Sequence, residues 1–189
     1  MEPKTLLQIM SVAERLKDAT RHCYTSGGRH ESVAEHCWMT ALMAYLIKDE
    51  FPEADMNRVI KMCLIHDLGE AFTGDIPSFL KTADDEKRED DLLAQWVAAL
   101  PPALSAQLAA LYTEMAQRQT PEARIFKAID GMEALIQHNA SDLSTWIPHE
   151  YQLNLTYADD KTAFSPYLTE LRQAIREVTI QKLSASDNA

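Results

Sequence analysis

Four side chains with the chemistry of metal ligands stand out in this sequence. His36, the adjacent pair His66 and Asp67, and Asp130 each lie on or beside a segment with helical periodicity. Two imidazoles and two carboxylates form a mixed nitrogen and oxygen donor set, which suits Mn, Fe, Co, Ni or Zn. With only four protein ligands, an octahedral ion keeps positions for water and a substrate oxygen. The set therefore indicates a hydrolytic metal site.

Each of these residues, taken singly, also has a purely structural explanation. His36 is compatible with a polar residue near a helix end, and Asp67 with a side chain that reaches solvent. Asp130 borders an apolar stripe and could pair with Lys127 or Arg124. An Asp at the C-terminal end of an apolar helix is nevertheless unfavourable, because the helix dipole repels anions there. A bound cation would offset that cost, which favours the metal site for the four residues together.

Three helices must position the four residues. Ser32 and Glu35 have the spacing of a capping box, which predicts a helix over about residues 33–47 with His36 in its first turn. Asp55 is predicted to cap a second helix that carries His66 and Asp67 at its end, with Gly69 as the stop signal. A third helix, over about residues 121–139, is predicted from Thr120-Pro121 and carries Asp130.

The rest of the chain predicts an all-α fold of about six or more helices. Apolar residues recur at helical spacing almost throughout, and there are only 5 glycines in 189 residues. Further helices are expected over about residues 5–20, 82–100, 102–119 and 166–183, with irregular segments over 21–31 and 140–163. The acidic run 84–91 is interpreted as a solvated helix face. We expect a single domain over residues 1–183 and a polar tail over 184–189.

Composition restricts the partners and the compartment. The net charge of −11 argues against a nucleic-acid polymer, because such binding depends on many cations that contact phosphates. An odd number of cysteines, 3, without a CxxC pair is typical of a reducing compartment. We find no signal-like apolar stretch near the start and no apolar run of about 20 residues. The expectation is a cytoplasmic protein without a membrane span, acting on a small molecule.

The order and context of the four residues resemble the HD-domain phosphohydrolase superfamily. The resemblance is carried by residues 32–36 (SVAEH), 66–77 (HDLGEAFTGDIP) and 127–130 (KAID). In these motifs the chain is similar to the branch that contains the 5′-deoxynucleotidase YfbR and HD domain-containing protein 2. The resemblance covers most of residues 5–140, and its long central motif makes it specific.

The resemblance implies a compact helical fold, often dimeric, with one divalent metal ion that is Mn, Co, Ni, Fe, Zn or Mg. It also implies cleavage of (deoxy)nucleoside 5′-monophosphates to nucleoside and phosphate. The ligands would be the four residues named above. Glu70 and Asp75 would be the catalytic residues that act on water and the leaving group, and Arg21 would bind phosphate. The chain departs from the pattern at Gly131, where relatives more often have Lys, and this leaves the substrate preference open.

Physical reasoning supports the same three residues without fixing their roles. Hydrolysis of a phosphate monoester requires a cation near its oxygens, an activated water and a proton for the leaving alkoxide. If helical geometry continues across Gly69, Glu70 lies on the same side as Asp67, three residues earlier. Asp75 stands in a Gly-Asp turn that could aim it at the metal, or it is an ordinary turn residue. Arg21 offers a bidentate fork for phosphate, although a plain surface arginine fits equally.

Two other functions remain open at this point. A (deoxy)nucleoside triphosphate hydrolase is the nearest alternative within the superfamily. A non-catalytic metal-binding domain that acts as a ligand sensor is the second. Dinuclear phosphodiesterases and diiron oxygenases of this superfamily need extra histidines, and the chain has no His between Asp67 and Gln137. That absence favours a mononuclear site.

Overall fold

The computed structural model describes residues 1–186, and they are predominantly helical, as predicted. The α-helices, in chain order, are α1 (Pro3–Ala13), α2 (Val33–Leu46), α3 (Met56–Ile65), α4 (Glu70–Thr73), α5 (Ala83–Ala98), α6 (Pro102–Gln117), α7 (Pro121–Ala140), α8 (Pro148–Thr156), α9 (Asp159–Thr162) and α10 (Pro166–Ser186). Short 3₁₀ helices span Glu14–Lys17, Lys48–Glu50 and Leu143–Thr145. Two strands, β1 (Thr20–Tyr24) and β2 (His30–Ser32), pair in an antiparallel hairpin. No helix within residues 1–186 is both long and apolar enough to cross a bilayer.

Helix α7 forms the centre of the core. It contacts α2, α3, α6, α9, α10 and β1, and α2 packs closely along α3. Its side chains Ile125, Ile129, Met132 and Leu135 are almost completely buried. These apolar residues fix α7 against α2 and α3, because any rotation of the helix would expose them to water. Helices α2 and α7 carry His36 and Asp130, whereas His66 and Asp67 lie in the turn directly after α3 rather than within it as predicted. The core holds these three helices against one another.

The starts of these three helices agree with the predicted capping residues. Ser32 Oγ accepts a hydrogen bond from the Glu35 amide, and the Glu35 carboxylate accepts one from the Ser32 amide. The Asp55 side chain caps α3, and Thr120 caps α7 with proline in its first turn. Side-chain caps satisfy backbone N–H groups that the helix leaves free. Local sequence thus sets where each ligand-bearing helix begins.

The segment 21–31 was predicted to be irregular. In the structure it consists mainly of the β1–β2 hairpin. Gly28 adopts a φ of 80°, and the Thr25 amide donates to the Arg29 carbonyl at 2.7 Å across the turn. A two-stranded hairpin this short depends on packing for its stability. It receives that packing from α2 and α7, which contact β2 and β1. Sequence periodicity over five residues carries too little signal to predict it.

The first and last helices also differ from the prediction. Helix α1 ends at Ala13, earlier than predicted, and has no buried residue. Leu16, within the predicted range, is buried in the 3₁₀ helix that follows. Leu6, Leu7 and Met10 are all exposed. Helix α10 continues to Ser186, so the predicted polar tail over 184–189 begins as helix, and residues 187–189 lie outside the described part. The predicted irregular segment 140–163 contains α8 and α9.

Gly69 does not terminate α3 in the predicted way. Its φ and ψ are −58° and −35°, so the backbone continues in right-handed helical geometry into α4. The reversal occurs instead at Gly74, whose φ is 74°. A Cβ at position 69 would lie only 2.7 Å from Glu89 Cγ on α5. Close packing against α5, rather than a left-handed turn, therefore explains the glycine at position 69.

Candidate active site

The fold brings the four predicted donor residues to one place. His36 Nε2 and His66 Nε2 lie 3.2 Å apart. Asp130 Oδ1 lies 3.2 Å from the first of these nitrogens and 3.6 Å from the second. Asp67 Oδ2 lies 3.7 Å and 3.1 Å from the same two atoms. Donor atoms at right angles on metal bonds of about 2.1 Å are separated by about 3 Å, so these five spacings are compatible with a common ion. The donor atoms of His36, His66 and Asp67 all lie within 4.8 Å of one another, and Asp130 approaches this group through its contacts with the two histidines.

Both imidazoles have the ring orientation that a metal ligand needs. His66 Nδ1 lies 2.9 Å from the Cys63 carbonyl oxygen, which can only accept a hydrogen bond, so Nδ1 carries the proton. His36 Nδ1 donates in the same way to the buried carboxylate of Glu133. Burial lowers the pKa of both rings, but the carboxylates around them raise it above the ordinary value, so protonation of Nε2 is favoured in the metal-free protein. A bound cation would take the place of these protons and use the Nε2 lone pairs as ligands.

The two carboxylates are ionised at neutral pH. Burial favours a neutral Asp67, but the imidazoles of His66 and His36 hold its pKa at about 2. Burial acts likewise on Asp130, and the Lys127 ammonium with the two imidazoles lowers its pKa well below the usual range. Lys127 Nζ donates to Asp130 Oδ2 at 2.7 Å, while Oδ1 faces the histidines. The pairing of Asp130 with Lys127 considered above therefore exists alongside the approach to the histidines.

Glu70 lies next to this cluster because the helical backbone continues through Gly69. The Glu70 amide donates to the Asp67 carbonyl at 3.0 Å, which completes a turn between the two residues. The Glu70 side chain is buried and lines the cavity in front of the donors. Burial, together with the charges of Asp67 and Asp75, raises its pKa to about 9. Its Oε2 has no hydrogen-bond partner within the described residues, so this oxygen can receive a ligand or water.

Asp75 also lines the cavity, directly after the left-handed Gly74. Burial raises the pKa of the Asp75 carboxyl group. The charge of Arg21 lowers this pKa, whereas the charge of Asp67 raises it further. The cavity has a volume of about 270 Å³ and is open to solvent on one side. Glu70 and Asp75 thus place two carboxyl groups on its wall, beside the four converging donors.

Arg21 reaches the same cavity from β1 and is held by two buried carboxylates. Its Nη1 lies 2.8 Å from Glu31 Oε2 and 3.5 Å from Glu133 Oε2. Burial opposes its charge, but the surrounding anionic groups raise its pKa. For Glu31, burial and the charge of Glu133 raise the pKa to about 7. Arg21 is therefore not the plain surface arginine considered above, since it is fixed as a cation at the edge of the cavity.

Sequence reasoning missed the role of Glu133. This residue is only 1% exposed and links the His36 imidazole to the Arg21 guanidinium. It follows Asp130 by three residues on α7, so helical spacing places it on the same side of the helix. That spacing is the sequence signal from which Glu133 could have been predicted.

Of the histidines in or near the hairpin, His22 lines the cavity, whereas His30 instead contacts the Arg21 carbonyl and the Tyr24 ring.

The departure at Gly131 has a steric explanation. A Cβ at this position would lie 3.1 Å from Ala158 Cβ and 3.5 Å from Lys161 Nζ. Gly131 is buried on α7, and Lys161 reaches this space from α9. A side chain at this position would therefore press on Ala158 and meet the Lys161 side chain. A lysine from a different helix occupies the adjoining volume.

Comparisons with known proteins identify the family of this chain. A family model described as the HD domain matches residues 13–172. The human 5′-deoxynucleotidase HDDC2 is 31% identical over 138 residues, covering 71% of this chain and 67% of the relative. The 5′-deoxynucleotidase hdd1 of Schizosaccharomyces pombe is 27% identical over 141 residues, 70% of each chain. A solved structure of a predicted metal-dependent phosphohydrolase from Magnetospirillum magnetotacticum has a TM-score of 0.79 at 28% identity, covering 95% of this chain and 93% of that one. The chain belongs to the HD domain family.

Proposed function

We propose that this protein is a metal-dependent phosphohydrolase that cleaves deoxynucleoside 5′-monophosphates to nucleoside and phosphate. The observation that carries the proposal is the convergence of two imidazole nitrogens and two carboxylates beside Glu70 at an open cavity. The names of the relatives, which are 5′-deoxynucleotidases at about 30% identity, support the substrate class. The similar solved structure supports the dependence on metal.

The residues that would hold the ion are His36, His66, Asp67 and Asp130. A divalent cation bound there would polarise the phosphate oxygens and lower the pKa of a bound water. The cation itself could be Mn, Co, Ni, Fe, Zn or Mg, since sites of this donor type follow availability as well as affinity. Two carboxylates and two neutral imidazoles would give the four ligands a total charge of −2, which matches a dication.

Glu70 is the residue we assign to proton transfer. With its pKa raised to about 9, its carboxyl group holds a proton at neutral pH in the metal-free protein. A protonated Glu70 can donate this proton to the departing 5′ oxygen, and the resulting carboxylate can then accept a proton from water. We assign Asp75 to the same exchange, because it lines the cavity and its pKa is also raised.

Arg21 is the residue we assign to phosphate binding. Its guanidinium is fixed as a cation by Glu31 and Glu133, and both contacts use Nη1. A guanidinium held in this way can bind a phosphate oxygen without losing side-chain freedom on binding. Lys127 and Lys81 also line the cavity, and they contribute positive potential opposite a phosphate dianion.

The deciding experiment is phosphate release from a panel of nucleoside monophosphates with Mn, Co, Ni, Zn or Mg added. We expect release of inorganic phosphate from deoxynucleoside 5′-monophosphates and its loss after treatment with a chelator. Release of pyrophosphate or triphosphate from nucleoside triphosphates would instead support a triphosphate hydrolase. No release from any substrate, despite one metal per chain, would support the ligand sensor and refute the proposal.

We also propose that the protein is a homodimer, as expected from the resemblance. Helix α1 supports this, because Leu6, Leu7 and Met10 are 49%, 69% and 56% exposed although the helix is apolar. Exposed apolar patches are typical of interaction surfaces. Light scattering should give twice the chain mass, and Leu7→Asp should reduce it towards the monomer. The cytoplasmic location stays a prediction.

A further inference from the structure

The cavity continues beyond the four donor residues to a wall that lies outside the sequence motifs. Asp130 and His138 both line it from α7, and they are eight residues apart. A rise of 1.5 Å per residue places these two positions about 12 Å apart along the helix. The small side chain of Ala134, also on the lining, lies between them. The cavity is therefore long enough for a nucleoside 5′-monophosphate whose phosphate lies at the Asp130 end.

Asn154, on α8, is the most informative residue at the far end. It is only 2% exposed, and it lines the cavity. Its Nδ2 donates to no acceptor within the part of the chain that the structure describes. A buried donor without a partner is unfavourable, because it has lost its hydrogen bonds to water. An acceptor atom supplied by a ligand would remove that cost.

Glu150 contributes an acceptor to the same wall of the cavity. It precedes Asn154 by four residues on α8, so the two side chains lie on the same helix face. Glu150 Oε2 accepts from the Ile147 amide at 2.8 Å. Oε1 lies 3.0 Å from His22 Nε2, which nevertheless has no hydrogen bond within the described residues, and 3.5 Å from His138 Nε2. Glu150 and Asn154 thus present a carboxylate acceptor and an amide donor from the same face of α8, and both residues line the cavity.

Phe79 adds a flat apolar surface to the same end of the cavity. Its ring lies on the cavity lining and packs edge-on against the His22 ring, with 5.7 Å between centroids. The Phe79 side chain is 37% exposed, so part of it remains free to contact a ligand. Aromatic side chains of this kind stack on the π face of any nucleobase.

We propose that Asn154, Glu150 and Phe79 form a subsite that recognises the nucleobase of the substrate. A planar heterocycle whose edge carries a donor beside an acceptor is the ligand chemistry that matches this wall. Sugars lack both the planar face and the rigid edge. The inference rests on the proposed function, which supplies the phosphate end of the ligand. It goes further by assigning base recognition to α8, outside the metal-binding motifs.

The test compares ligands with and without a base in a protein that does not turn them over. Glu70→Gln serves as the background, and titration calorimetry gives the dissociation constants of the four deoxynucleoside 5′-monophosphates and of 2-deoxyribose 5-phosphate. Asn154→Leu removes the unpaired donor at similar volume. Gln152→Leu is the matched control, because Gln152 is an exposed amide on the same helix that does not line the cavity. Phe79→Ala is a second variant at a partly exposed position, where folding is less at risk.

We expect Asn154→Leu to weaken binding of at least one nucleotide about tenfold, the scale of one buried hydrogen bond. Phe79→Ala should weaken nucleotide binding as well. Neither variant should change the affinity for 2-deoxyribose 5-phosphate by more than about twofold, and Gln152→Leu should change nothing. Equal weakening of both ligand types, or no weakening of either, would overturn the base subsite. The base subsite would also be overturned if none of the four nucleotides bound to the protein.

The test of the base subsite can fail independently of the test of the proposed hydrolase function. Phosphate release by the unaltered protein tests hydrolysis, whereas the binding measurement requires no turnover. A protein that binds nucleotides through Asn154 but releases no phosphate would refute the hydrolase and retain the subsite. If the protein hydrolyses nucleotides but Asn154→Leu leaves nucleotide binding unchanged, the hydrolase is retained and the base subsite is refuted.

Discussion

Glu133 is expected to determine how tightly the metal binds, although it is not one of the four proposed ligands. Its carboxylate accepts a hydrogen bond from His36 Nδ1 and lies 3.5 Å from Arg21 Nη1. The hydrogen bond fixes the His36 tautomer and directs Nε2 towards His66 and the two aspartates. The negative charge also strengthens the donor character of the imidazole. We therefore predict that replacing Glu133 weakens the metal site.

The size of the effect follows from the burial of this group. Glu133 is 1% exposed, so water cannot replace the lost charge. Removal of such an outer partner costs about 10- to 100-fold in metal affinity, or about 1.4–2.7 kcal/mol. Glu133→Gln keeps an oxygen that can accept from Nδ1 but loses the charge, so we expect about tenfold. Glu133→Leu loses both and should reach about a hundredfold.

The assay is titration of the metal-free protein with Mn or Zn against a competing chelator. Glu150→Gln is the matched control, because Glu150 is equally buried at 1% exposure but contacts none of the four proposed ligands. It should bind metal like the unaltered protein. Wild-type metal affinity in both Glu133 variants would refute the reasoning, since it would mean that the orientation of His36 is set by packing alone.

The other predictions concern Glu70, Asp67 and Gly69. Glu70→Gln should reduce turnover about a hundredfold or more while metal content stays at one per chain; unchanged turnover would exclude Glu70 from proton transfer. In the metal-free protein, the raised pKa of Glu70 favours the folded state fully below pH 4.5, and this contribution is lost as the pH rises towards about 9. Denaturant unfolding should therefore show stability falling over that range, and a smaller fall in Glu70→Gln; parallel curves for the two proteins would contradict the assigned shift. Asp67→Ala should no longer bind one metal ion per chain, as measured by elemental analysis. One metal ion per chain in this variant would show that Asp67 is not a ligand. Gly69→Ala, whose Cβ would lie 2.7 Å from Glu89 Cγ, should lower stability by about 1–3 kcal/mol, whereas Gly27→Ala, with 3.7 Å to its nearest neighbour, should change it far less. Equal melting temperatures for these two variants would show that α5 accommodates the methyl group.

The helical fold class and the membership in the HD domain family, predicted from sequence, are confirmed. Helix starts were predictable because capping is local: Ser32, Asp55 and Thr120 each bond to an amide three residues ahead. Donor chemistry was also readable, since the residue type alone determines whether a side chain can ligate a cation. The assigned roles of Arg21, Glu70 and Asp75 remain predictions, although all three line one cavity.

Elements stabilised by distant contacts were not predictable. The β1–β2 hairpin, α8 and α9 are short, and their sequence periodicity is weak. Helix α1 was predicted from its apolar periodicity, but none of its residues is buried. Periodicity reports which face of a helix is apolar. It does not report what covers that face.

The sequence by itself determined which residues can bind a cation and where the helices that carry them begin, because both depend on residue type and local hydrogen bonding. Only the tertiary structure decided which atoms meet. The bond between His36 and Glu133 joins residues 97 positions apart, and it exists because α2 packs on α7. The unpaired amide of Asn154 faces the cavity for the same reason, since its direction depends on how α8 packs against the rest of the fold.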